Sequence, residues 1–194
     1  MPFALTRLRA KDRDSRSALA AITAGDAAVL APARRWGLFA GLFGLASNEL
    51  FVVSAGEVQD VGERLLGLPA TAEAETLLLE PTVRPTTEAP LTREGLYVFR
   101  FFEVAHRDVD EIAELSREAW ESFEESDAYA AEPMALFCQA DRSAERGRML
   151  LVTWYDGLNS WQTSRRPDPR ARENFLRRHE LTAGTIAYAT RLLA

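Results

Sequence analysis

The chain has one cysteine (Cys138), one lysine (Lys11) and two histidines (His106 and His179) among 194 residues. A lone cysteine excludes an intrachain disulfide and a thiolate metal cluster, and in its apolar strand-like run Cys138 reads as a small hydrophobe. With two distant histidines and no HExxH or CxxC pattern, no metal is expected. No GxGxxG or GxxxxGKS/T loop is present to cradle a nucleotide cofactor, and no GxSxG elbow to raise a serine nucleophile. The longest apolar run, Trp36 to Ala46, is too short to span a bilayer, and charges at Arg7 and Arg9 interrupt any signal-like stretch. A cytoplasmic protein without a membrane partner is the expectation. A net charge of −6 and a pI near 5.1 lack the cationic field that nucleic acid requires. The positive charge is almost all arginine, scattered along the chain. That bias suits bidentate recognition of carboxylate or phosphate, and equally a compositional preference. The acids from Asp108 to Glu125 with Arg117 read as a solvated helix face, glycosidase-like carboxylate pairs being the alternative.

What is present is one pattern written twice. The strand-like run Phe3-Ala4-Leu5-Thr6-Arg7-Leu8 returns as Leu96-Tyr97-Val98-Phe99-Arg100-Phe101-Phe102. The pair Gly37-Leu38-Phe39 and Leu50-Phe51-Val52-Val53-Ser54 returns as Ala135-Leu136-Phe137 and Leu150-Leu151-Val152-Thr153-Trp154. Such repetition constrains architecture strongly and chemistry weakly. In the first copy, an Ala-rich stretch from Ser17 to Leu30 predicts a helix, Gly41 and Gly44 predict a bulge or a close backbone approach, and Val58 to Leu66 a second helix. In the second, Asp108 with Glu111 predicts a variant capping box opening an amphipathic helix. Ala171 to Ala183 predicts a later helix that Gly184 stops.

Each half therefore reads β-α-β-β-α-β, a ferredoxin-like split βαβ. Residues 1–85 form the first repeat, 86–94 a linker and 95–194 the second repeat. A four-stranded sheet with helices on one face leaves its other face bare and apolar. Two copies in one chain can cover those faces with each other, so the expected fold class is α+β, an intrachain α+β barrel pseudo-dimer.

The second half, with its Leu96-Tyr97-Val98-Phe99-Arg100 opening, Trp154-Tyr155-Asp156-Gly157-Leu158 and an Arg-rich final helix, resembles the NIPSNAP family of the dimeric α+β barrel superfamily. The likeness covers roughly Gly95 to Leu193; the first half, with Ser54-Ala55-Gly56 in place of the Trp-Tyr signature, shares only the pattern. The resemblance implies the barrel but no defined reaction. Related barrels include cofactor-independent monooxygenases, haem-degrading enzymes and haem peroxidases.

Alternation in strands places Tyr97, Phe99 and Phe101 on one side, with Arg100 and Phe102 on the other. Together with Trp154 and Tyr155 the first three are candidates for lining an internal cavity, or else for filling the space between sheets. His106 is a turn residue, solvated or at a ligand edge. His179, four residues after Phe175 and three after Leu176, is expected on the apolar side of its helix, half-buried, or as an axial ligand if haem is bound. No cofactor is otherwise called for. The leading expectation is a small, largely apolar ligand held between the sheets. The alternatives are a cofactor-independent or haem-dependent oxygenase, and a non-catalytic assembly protein with a packed barrel. Monomer and homodimer are both open.

Overall fold

A computed structural model describes residues 1–193. The elements run β1 (Phe3–Ala10), α1 (Arg16–Ala24), α2 (Asp26–Leu30), β2 (Arg34–Phe43), β3 (Glu49–Ala55), α3 (Val61–Leu66) and β4 (Thr71–Pro81). After a connecting segment come β5 (Leu96–Ala105), a 3-10 turn (His106–Asp108), α4 (Val109–Glu124), β6 (Ala131–Gln139) and β7 (Arg146–Tyr155). The chain ends with α5 (Leu158–Thr163), α6 (Pro169–Glu180) and β8 (Thr182–Leu192). The fold is α+β, two ferredoxin-like repeats in tandem.

The chain divides into two compact units. The first holds Met1–Glu80, Thr87–Arg93 and the chain from Tyr188 on; the second holds Pro81–Thr86 and Glu94–Ala187. The strand order is β4-β1-β3-β2 in the first repeat and β8-β5-β7-β6 in the second. Each repeat also lends chain to the other's unit. The end of β8 pairs with β2 in the first unit, Phe39 opposite Leu192 and Ala40 opposite Arg191. In the second, the Thr82 N–H donates to the Leu136 carbonyl at 2.8 Å and the Leu136 N–H to the Arg84 carbonyl at 3.0 Å.

In the first unit, strict alternation sends Ala4, Leu8, Leu38, Leu50 and Val52 against Ala18, Ile22, Leu30, Val61 and Leu65 of the helices. The other parity, including Phe3, Leu5, Phe39, Phe51 and Val53, is buried as well. There Phe3 meets Trp36 edge-on at 5.8 Å and Phe51 meets Tyr188 at 5.4 Å. The second unit repeats the scheme: Phe102, Val104, Leu136, Met149 and Leu151 pack on Val109, Ile112 and Trp120 of α4. The helix buries Ile112, Ser116, Ala119, Trp120 and Phe123, a stripe of one face with acids elsewhere. Gly95 opens β5 at φ 147°, and a Cβ there would overlap the Trp154 indole, whose Nε1 donates to the Glu94 carbonyl at 2.8 Å.

Four local expectations meet different outcomes. At the glycines of β2 the register against β8 shifts between Gly41 and Phe43. The helix expected over 17–30 is two helices, because the Ala28 and Val29 N–H groups both turn back to the Gly25 carbonyl at 2.8 Å and start a new turn. Asp108 makes no capping bond; a 3-10 turn precedes α4, and the carboxylate lies 3.6 Å from Arg107 instead. Gly184 does not stop α6, which ends at Glu180 with Leu181 as its cap; β8 has already begun at Thr182 and Gly184 lies within it. Strand pairing outranks a glycine stop signal once the partner strand is in place. Among the described residues, no helix is long and apolar enough to cross a membrane, and no three His, Cys, Asp or Glu side chains gather to hold a metal.

Candidate functional site

The second unit contains a cavity of about 1050 Å³ between the helix-facing side of its sheet and the segment running from α5 into β8. Its wall on the sheet side comes from Val98, Arg100 and Phe102 of β5 and Leu151, Thr153 and Tyr155 of β7. These are one parity by register: Val98 opposes Thr153, Arg100 opposes Leu151 and Leu96 opposes Tyr155. Trp120 and Phe123 of α4 form a second wall; Trp161, Phe175 and Arg178 face them from α5 and α6.

The position of Arg178 follows from how α6 is started and held. Asp168 caps the helix, accepting from the Arg170 N–H at 2.9 Å, and Pro169 fits the first turn, where no N–H partner is needed. Arg177 binds Glu111 at 2.9 Å and the Asn174 amide donates to Glu118 at 3.0 Å, tying α6 to α4. That phase turns Ala171 and Arg178 inward, seven residues and two turns apart, with Arg178 only 6% exposed. Its guanidinium stacks on Phe175 at 4.8 Å and Phe102 at 5.3 Å. Nη1 donates to the Ser116 hydroxyl at 3.1 Å, which itself donates to the Ile112 carbonyl at 2.7 Å. Burial, with the Arg100 charge adding to it, pushes the guanidinium down to about 10. Arg100 is also pushed below the ordinary arginine value, first by burial, with Arg165 opposing its charge and Tyr155 favouring it.

Five arginines line this cavity: Arg100, Arg165, Arg166, Arg172 and Arg178. No aspartate or glutamate does, and none of the five forms an ion pair among the described residues. Many arginines elsewhere are matched, as in Arg7 with Glu49, Arg84 with Glu124 and Arg117 with Glu114. On a chain of net charge −6 this is a locally cationic, aromatic-walled pocket.

Of the candidate residues, Tyr155 and His179 border this cavity. Tyr97 and Phe99 are fully buried and Phe101 half-buried on the opposite face of the sheet, and Trp154 is buried against Gly95. His179 is exposed rather than half-buried: Arg178, the preceding residue, takes the inward direction, and adjacent helical residues point about 100° apart. Its imidazole has no hydrogen-bond partner among the described residues to orient it. Axial ligation of haem uses a desolvated imidazole held by an acceptor. The residues present therefore do not make an axial haem site at His179. His106 caps the β6–β7 hairpin instead of edging a ligand: its Nδ1 lies 2.8 Å from the Ala144 carbonyl and its N–H donates to the Glu145 carbonyl at 2.9 Å. Sequence reasoning missed Arg100 and Arg178. The available signal was an arginine at the centre of the most apolar strand, between Phe99 and Phe101.

No family model matches the chain, and no curated protein matches it. Solved structures do. A proposed monooxygenase from Lactobacillus acidophilus NCFM superposes with a TM-score of 0.63 at 8% identity, over 100% of this chain and 99% of that one. An anthrone oxidase-like protein gives 0.64 at 11% identity, over 100% and 92%. A ferredoxin fold protein from Listeria monocytogenes 4b F2365, described as related to antibiotic biosynthesis monooxygenases, gives 0.57 at 9%, over 100% and 95%. The likeness is one of fold. It supports the ferredoxin-like α+β architecture and leaves the NIPSNAP resemblance resting on sequence pattern.

Proposed function

We propose that the protein binds a small, largely aromatic molecule in the cavity of its second unit. The carrying observation is a cavity of about 1050 Å³ walled by Trp120, Phe123, Tyr155, Trp161 and Phe175, a size and lining suited to a drug-sized apolar ligand. This moves the site from the space between the sheets to the helix-facing side of one of them. The NIPSNAP-like pattern of residues 95–193, a cytoplasmic setting and a monomeric or homodimeric state belong to the same proposal. Native mass spectrometry of the purified protein against its denatured mass tests it: a reproducible excess per chain is expected. A clean peak, joined to failure of a panel of polycyclic aromatics to bind, removes the reading.

A second reading is catalytic. The similarity to proteins described as a monooxygenase and as anthrone oxidase-like supports a cofactor-independent oxygenase acting on an electron-rich polycyclic substrate. The pocket's cations would favour the ionised form of an acidic phenol, raising its electron density toward oxygen. Oxygen uptake with a phenolic anthrone and no added cofactor is the assay, with Arg100→Gln as the comparison. Uptake equal to the buffer rate rejects catalysis while leaving binding intact. The assembly alternative, a non-catalytic protein with a packed interior, draws on the full burial of Tyr97 and Phe99.

A further inference from the structure

The cavity's charge is unbalanced in a way that aromatic binding alone leaves unexplained. Arg178 is 6% exposed and carries a full guanidinium, yet its one side-chain hydrogen bond among the described residues goes to a neutral hydroxyl, that of Ser116. Ser116 offers no compensating charge, because its hydroxyl is neutral, and its own proton goes to the Ile112 carbonyl. The remaining N–H donors of the fork have no partner among the described residues, and Arg178 borders the cavity. Arg100 borders the same cavity from β5, with no side-chain hydrogen bond or acid of its own among the described residues. A buried cation is ordinarily paired, because desolvation without a counter-charge is costly. Here two cations face one void and each is disfavoured by a neighbouring arginine, Arg178 by Arg100 and Arg100 by Arg165. An anion between them would relieve that repulsion and complete both sets of donors.

We propose that the ligand of this pocket is an aromatic carboxylate, its ring stacked among Trp120, Phe123 and Phe175 and its carboxylate held by the guanidinium groups of Arg100 and Arg178. This rests on the ligand-binding reading above. The planar fork of arginine matches a carboxylate bidentately, and a hydrogen bond to a charged group contributes more than a neutral one. Arg165, Arg166 and Arg172 border the same cavity from exposed positions, where they raise the local concentration of anions against the chain's overall negative charge.

The experiment is isothermal titration calorimetry of the full chain with naphthoate and with its neutral carboxamide, which share ring and shape and differ in charge. Naphthoate is expected to bind at least about tenfold more tightly, the preference that one charged hydrogen-bonded contact supplies. Arg100→Gln and Arg178→Gln each reduce that preference to less than about threefold by weakening naphthoate far more than the carboxamide, and a wild-type circular dichroism spectrum shows the chain folded. Arg178→Lys restores part of it through the retained charge. If Arg178→Gln does not fold by circular dichroism, Arg100→Gln and Arg178→Lys decide the matter. Equal affinities for the two ligands in the wild type, or a preference that survives both glutamine substitutions, overturn the carboxylate assignment while the pocket stands. Binding of neither compound, with no mass excess in the native protein, overturns the pocket reading itself.

Discussion

Replacing Arg178 by methionine should leave the empty protein as stable as the wild type, or more so, at a position where truncating mutations normally destabilise. Burial holds the guanidinium at about 10, well below the ordinary arginine value. At about 1.4 kcal/mol per pH unit, keeping the charge inside costs about 3 kcal/mol relative to water. Against this stand the stacking on Phe102 and Phe175 and one hydrogen bond to Ser116. Together these contribute about 2 kcal/mol beyond what a methionine recovers by its own contacts with the same rings. Ser116 keeps its bond to the Ile112 carbonyl, so the exchange strands no donor. The balance favours Arg178→Met by about 1 kcal/mol, or about 2–4 °C in melting temperature for a chain of this length. The pH dependence has a definite sign. The folded pKa lies below the unfolded one, so the penalty is fully present below about 10, where both states are protonated. It fades above 10, where the unfolded state binds more protons, so wild type gains on the variant as pH rises. Urea unfolding at pH 7 and at pH 10.5 measures both effects. A variant that loses 2 kcal/mol or more at pH 7 refutes the reasoning, because the guanidinium would then be making a favourable contact that outweighs its burial.

Three further outcomes are expected. Gly147→Ala costs about 1–3 kcal/mol, because a Cβ there would overlap the His106 imidazole, itself fixed against the Ala144 carbonyl. The cost disappears in a His106→Ala background, and a thermal-melt double-mutant cycle that stays additive contradicts the clash. Phe99→Ala, at a position with no exposure, loses about 3–5 kcal/mol by cavity formation; a loss below 1 kcal/mol in urea unfolding would mean that the inner face tolerates a void. His179→Ala leaves the Soret spectrum of a haemin titration unchanged, and a band that vanishes on substitution would establish the axial role that the geometry denies.

Much of the fold was legible in the sequence because it rests on local pattern. Alternation in Phe3–Ala10 and Leu96–Ala105, the two hairpin pairs and the stripe from Ile112 to Phe123 each report a period that one chain segment carries by itself. The helix break at Gly25 and the early start of β8 were not legible, since they depend on which carbonyls and strands lie nearby. The site was half legible. Strand parity correctly separated Tyr97 and Phe99 from Arg100 and Phe102, while the pocket lies on the side that carries the arginine.

The sequence alone therefore determined the repeat, its β-α-β-β-α-β order and the two-sided burial of its strands, because hydrophobic period and turn chemistry act over a few residues. Tertiary structure alone decided which face opens into a cavity and which residue of α6 looks into it. Arg178 and His179 are neighbours in sequence but point about 100° apart on the helix, and the bonds to Glu111 and Glu118 set the rotation that turned the arginine inward.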